Sequence, residues 1–60
     1  MWIICGGRKA INTDYVSEFR QDGSTVMASM VGMQSTYVGK TTVKEILENI
    51  ISGVNIVEVN

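Results

Sequence analysis

From Thr42 to Ser52 the apolar residues Val43, Ile46, Leu47, Ile50 and Ile51 recur at i, i+3, i+4, i+7 and i+8, a spacing that gathers them into one stripe of a helix. Thr42, with Glu45 three residues on, predicts a capping box. There the hydroxyl accepts a free backbone N–H and the carboxylate reaches back to the N–H of the cap. Gly53 supplies the left-handed residue past the end. Lys44, Glu45, Glu48 and Asn49 fall on the opposite, wet face. So short a helix is unstable alone in water, and its stripe requires an apolar surface to lie on.

Upstream the pattern changes to a period of two, and the predicted surface is a sheet. Asp22-Gly23 between two strand-like runs is a strong hairpin signal, because a type I′ turn needs positive φ at both central residues. That turn pairs Gln21 with Ser24, Phe19 with Val26 and Ser17 with Ala28. Tyr15, Phe19, Val26, Ala28 and Met30 then share the core face, while Val16, Glu18, Arg20, Thr25, Met27, Ser29 and Val31 share the other. Trp2 to Cys5 and Lys9 to Ile11 flank Gly6-Gly7 as a second candidate hairpin, and Asn12-Thr13-Asp14 reads as a polar turn. Short strands are predicted at Thr36 to Val38, after the Met33-Gln34-Ser35 turn, and at Val54 to Val59. The expected fold class is α+β: a small antiparallel sheet in β-β-β-β-α-β order, with one amphipathic helix packed on one face. Residues 1–60 form a single domain without repeats, linkers or low-complexity segments.

Composition adds a constraint. In a chain of 60 residues folding hides only about 60% of the surface of the unfolded state, so the core is marginal. Apolar residues make up 45% and charged residues 18%, a globular balance, and 5 Lys+Arg against 6 Asp+Glu excludes a basic nucleic-acid arm or an acidic tail. No run approaches the roughly 18 apolar residues of a membrane span. Met1-Trp2-Ile3-Ile4-Cys5 lacks the basic and long apolar regions of a secretory signal, so a cytoplasmic protein is expected. The single Cys5 provides neither an intrachain disulfide nor a four-ligand zinc site, two common staples of small domains. Association is the staple that remains.

Candidate chemistry is sparse. Val38-Gly39-Lys40-Thr41-Thr42 resembles the end of a phosphate-binding loop, but the Gly required five residues before Gly39 is Gln34, and ordinary helix capping accounts for the stretch. With no His in the chain, Cys5 has no Cys-His nucleophile pair, and its apolar setting predicts a buried, inert thiol. The acids Asp14, Glu18, Asp22, Glu45, Glu48 and Glu58 are dispersed over turns and wet faces, with no paired carboxylates. No catalytic, cofactor or metal site is expected. The competing class is a nucleic-acid or nucleotide-phosphate binder using Arg8, Lys9, Arg20 and the Gly39-Lys40-Thr41 helix start. Against it, only Arg8 and Lys9 are adjacent, and there is no basic stripe.

The apolar surplus is the informative feature. Met27, Met30, Val31 and Met33 cluster late in the hairpin, and both faces of the first and last strands carry apolar groups. One helix covers one face of a small sheet, so the other face is covered by a second chain or left sticky. The run Trp2-Ile3-Ile4-Cys5-Gly6-Gly7-Arg8-Lys9-Ala10-Ile11-Asn12-Thr13-Asp14-Tyr15-Val16, then the Asp22-Gly23 hairpin, Tyr37-Val38-Gly39 and a capped helix, resembles short uncharacterised proteins of Firmicutes and their phages. Among these it is similar to the Hachiman anti-defence protein family, small dimeric inhibitors of a bacterial immune system. That resemblance implies a phage-type inhibitor of a host protein, and no site residues carry over with it. The reading from the residues is a non-catalytic protein-binding homodimer. Its expected self-association surface is Trp2, Met27, Val31, Val57 and Val59, with Arg20 and Tyr37 as anchors for a partner, both types being enriched at hot spots.

Overall fold

The period-two runs form strands and the 3.6-period run forms a helix. The computed structural model describes residues 1–60, in the order β1 (Trp2–Cys5), β2 (Lys9–Asn12), one turn of 3-10 helix (Thr13–Tyr15), β3 (Val16–Asp22), β4 (Thr25–Met30), β5 (Thr36–Gly39), α1 (Val43–Ile51) and β6 (Ile56–Val59). The class is α+β; five strands precede the helix, one more than the expected order although each falls in a run named above, and the six strands lie in two three-stranded sheets, β2-β1-β6 and β3-β4-β5, rather than one. The 3-10 turn causes the split. Its first N–H donates to the Met1 carbonyl at 2.9 Å, the Asn12 side chain accepts from the Asp14 N–H at 3.0 Å, and the chain leaves β2 without pairing it to β3. The strand after the helix also departs from the antiparallel expectation. Here β6 runs parallel to β1, with Trp2 opposite Ile56 and Cys5 opposite Val59. Parallel neighbours need a long crossover, supplied by everything between them in the chain.

The second hairpin shows how a turn sets a register. Asp22 pairs with Thr25, so the two-residue loop is Gly23-Ser24 rather than Asp22-Gly23. Gly23 has φ of 61° and no other residue type in the chain has positive φ, which makes this a type II′ turn with glycine at its first central position. Phe19 therefore faces Ala28 and Gln21 faces Val26. From Glu18 to Asp22 each residue of β3 meets a partner two positions later than expected, and a slip of two preserves the faces. Farther from the turn the faces are not preserved. A bulge between Val16 and Glu18 turns Val16, expected on the outer face, toward Met30 and the core, while Tyr15, expected in the core, sits in the 3-10 turn at 67% exposure.

One core lies between the inward faces of the two sheets. It holds Ile3, Cys5, Ile11 and Val59 from the first sheet, Val26, Ala28 and Val38 from the second, and Ile46 from α1. Of the helical stripe only Ile46 is buried; Val43 is half-buried, and Leu47, Ile50 and Ile51 are exposed. The stripe is wider than the strip of sheet it covers. Both helix ends are well terminated. The Thr42 hydroxyl accepts the Glu45 N–H at 3.1 Å, although the Glu45 carboxylate accepts from the Thr41 hydroxyl at 2.9 Å instead of from the cap's N–H. At the other end Val54 N–H donates to the Asn49 carbonyl and Gly53 N–H to that of Ile50, both at 3.1 Å, a Schellman motif.

Two residues tie the layers together. The Gln21 side-chain amide donates to the carbonyls of Gly23, Thr25 and Thr41, and its oxygen accepts the Val43 N–H at 3.0 Å, so it fastens the start of α1 to the hairpin. Gly39, with φ of 145°, lies where β5 crosses the end of β6. A Cβ there would come within 2.6 Å of Val59 Cγ1 and 2.7 Å of the Asn60 carbonyl oxygen. Beside it the Lys40 N–H donates to that same oxygen at 2.7 Å. We expect Gly39→Ala to lose about 2–4 kcal/mol, from backbone strain plus overpacking, and Gln21→Ala about 1–2 kcal/mol. Thermal melts followed by circular dichroism check both, at about 4–8 °C per kcal/mol for a domain of this size.

Candidate interaction surfaces

Strand parity decides which side chains reach solvent. On β4, Val26 and Ala28 point inward, so Met27 points outward, and its direct neighbours are Arg20 on β3 and Tyr37 on β5. Arg20, Met27 and Tyr37 therefore form one row across the outer face of the second sheet, an arginine and a tyrosine flanking a half-buried methionine. Glu18 stands beside the row, 3.9 Å from the Arg20 guanidinium; both are well exposed, so the pair adds little stability. Behind it the Ser29 and Ser35 hydroxyls hydrogen-bond at 3.0 Å and join β4 to the segment entering β5.

The outer face of the first sheet is apolar. Trp2 lies between Asn12 and Ile56, and Ile4 between Ala10 and Glu58. Trp2 and Ile56 are 48% and 59% exposed. Trp2 also lines a groove of about 350 Å³ with Ala10, Ile11, Tyr15, Met30 and Met33. A second apolar groove, about 410 Å³, runs between β3 and α1 and is lined by Val16, Phe19, Val43, Leu47 and Ile50.

The expected surface residues are thus divided. Trp2 and Met27 lie on different sheets, and Val31 is 82% exposed in the turn after β4. Val57 and Val59 point inward: Val59 is in the core and Val57 packs half-buried against it, so neither offers surface. Their outward neighbour Ile56 takes that place, and the alternation of β6 would have identified it had the direction of the strand relative to β1 been known. Leu47, Ile50 and Ile51 were read as helix core, yet the helix docks only near Ile46. Arg20 and Tyr37, named separately, are brought together by Met27.

The basic residues are also divided. Lys9 Nζ donates to the Thr36 hydroxyl at 2.6 Å, and Arg8 and Lys9 line a groove of about 330 Å³ with Cys5, Tyr37 and Asn60, whereas Arg20 lies two strands away from Tyr37. At the Gly39-Lys40-Thr41 helix start, the N–H groups of Lys40, Val43 and Glu45 are already taken by Asn60, Gln21 and Thr42. A phosphate would have to displace these partners. No group of three or more His, Cys, Asp or Glu is placed to hold a metal ion, and no helix is long and apolar enough to cross a membrane.

Cys5 is buried, its Sγ 3.7 Å from the Ile3 carbonyl oxygen. Burial pushes the thiol pKa up, and Lys9 pulls it partly back. A raised pKa favours the neutral thiol in the fold. Its contribution to stability is present below the unfolded-state pKa and fades as pH rises through the folded value. Iodoacetamide at pH 8 is expected to label Cys5 at least about tenfold more slowly in the native chain than in urea, because thiolate and access are both limited. Intact-mass time courses measure the ratio, and equal rates would contradict a buried thiol.

Compared with protein-family models, with curated proteins and with solved structures, the chain matches none.

Proposed function

We propose that this chain is a small non-catalytic protein-binding module that works as a homodimer in the cytoplasm and inhibits by covering a surface of its target. The observation that carries the reading is the Arg20-Met27-Tyr37 row. Residue types enriched at binding hot spots stand side by side on a rigid sheet, with a methionine that adapts to a partner's shape. Occlusion suits the scale of the molecule. A standard interface takes about 800 Å² from each partner, a large share of a total accessible surface of 4101 Å². The resemblance to the Hachiman anti-defence family supplies the target class, a protein of a bacterial immune system.

The nucleic-acid reading has one favourable feature, Tyr37 beside Arg8 and Lys9 in a single groove. Against it stand the near-neutral charge and the engaged helix N-terminus. Binding carried by phosphates would weaken steeply with added salt, whereas a dry protein contact would not.

The test is co-expression of the chain with a Hachiman defence system, followed by phage challenge. Restored plaquing is expected, together with retention of a defence protein on the tagged chain in 300 mM salt. Tyr37→Ala and Met27→Ala should each reduce that retention about tenfold or more while leaving the circular dichroism unchanged. Unchanged plaquing with the folded chain present would reject this target. Retention insensitive to both substitutions would reject the row as the contact.

A further inference from the structure

The second sheet leaves its longest strand at an open edge. β3 is hydrogen-bonded only to β4, and at 7 residues it is the longest strand in the molecule, while the other three edge strands, β2, β5 and β6, have 4 each. Natural edge strands are usually blunted by shortness, lysine or proline. β3 has no lysine or proline, and its bulge lies at the start, before Glu18. In a hairpin closed by the pair Asp22 and Thr25, alternate residues on β3 direct their backbone groups away from β4. By that alternation Phe19 and Gln21 present N–H and C=O to the open edge.

We propose that two copies of the chain pair antiparallel along β3, about a twofold axis at Phe19, joining two three-stranded sheets into one continuous sheet. The proposal rests on the homodimer reading above and names its surface. Charge complementarity selects the occupant and the register. With Phe19 opposite Phe19 of the second copy, Glu18 falls opposite Arg20 and Arg20 opposite Glu18, both on the outer face. The regular pairing is then centred on Phe19 and ends at the bulge before Glu18. Antiparallel twofold pairing must keep residues of like face together, so the neighbouring registers are displaced by two in the pairing sum. One sets Glu18 against Glu18 and the other sets Arg20 against Arg20, and like charges directly opposite are destabilising. Within one copy the same two side chains meet only at 3.9 Å along one strand and gain little from each other.

The layer beneath agrees. On the inner face Phe19 lies on the axis, and the groove of Val16, Phe19, Val43, Leu47 and Ile50 adjoins its own copy across the join. The exposed part of the α1 stripe then has an apolar neighbour. On the outer face the two Arg20-Met27-Tyr37 rows become parts of one larger surface.

The test measures dimer dissociation of the full chain by sedimentation equilibrium, with circular dichroism at the same concentrations. Glu18→Arg and Arg20→Glu singly place like charges opposite each other twice per dimer, and each should raise the dissociation constant about tenfold or more. The double variant restores the complementarity with the signs exchanged, and it should recover to within about threefold of the unaltered chain. A dimer indifferent to the single changes, or a double variant no better than the singles, overturns edge pairing while the homodimer reading stands. A folded monomer of the unaltered chain at 100 μM overturns both.

Discussion

The end of β6 passes β5 at nearly backbone-to-backbone distance, and Gly39 makes that close approach of the two sheets possible. A side chain there would meet Val59 and the Asn60 carbonyl, and the Lys40 N–H bonded to that carbonyl holds the crossing closed. On the other side of β6 the Gly6 N–H donates to the Val59 carbonyl at 2.7 Å. These contacts set Val59 and Val38 in the interior and bring the inward faces of sheets with only 3 strands each into one cluster. They also explain the phosphate-loop look of Val38-Gly39-Lys40-Thr41-Thr42. The glycine is required by the approach of another strand, the next N–H is taken by that strand, and the threonines cap the helix. Chemistry that looked borrowed from nucleotide binding is the joint of the fold.

What the sequence reveals and what it hides divide along the range of the interaction. The helix, its caps, the glycine turns and the parity of most strands are local, and each follows from side-chain period or turn chemistry within a few residues. Even the misplaced hairpin turn kept the right faces, because a type II′ loop at Gly23-Ser24 differs from a type I′ loop at Asp22-Gly23 by an even slip. The bulge at Ser17 was not legible, and the polar turn expected at Asn12-Thr13-Asp14 runs on as a 3-10 turn through Tyr15; together they exchange Tyr15 for Val16 in the core. The pairing of β6 was hidden for a different reason. Apolar residues on both faces of Val54 to Val59 leave its orientation open until the partner strand is known, so Val57 and Val59 were read as surface and Ile56 was overlooked. Gln21 gave no signal at all, since an exposed glutamine in a strand becomes a fastener only when α1 arrives beside it.

Scarcity of interior shapes the surface. With 9 of 60 residues buried, most large apolar side chains here are shared between core and solvent. Trp2 and Ile56 form a cross-strand pair in the open, and Ile51 is 84% exposed at the end of a helix whose stripe predicts burial. A larger domain would enclose such groups. In one of this size, association would reach the same end by adding interior without adding chain.

The surfaces differ in how much they specify. A helix stripe or a patch of methionines attracts any apolar partner, since hydrophobic burial has no direction. An open strand edge does have direction, because its N–H and C=O groups fix spacing and its side chains fix register. In β3 the register centred on Phe19 is the one in which Glu18 and Arg20 would complement each other across a twofold axis. Charge complementarity is what separates a pairing code from a merely unprotected edge. The same pairing leaves Met27 and Tyr37 on the outer face, turned away from the axis side chains beneath. Under the proposed pairing Arg20 would serve the register at the edge, while Met27 and Tyr37, farther from that edge, would stay open to a second protein.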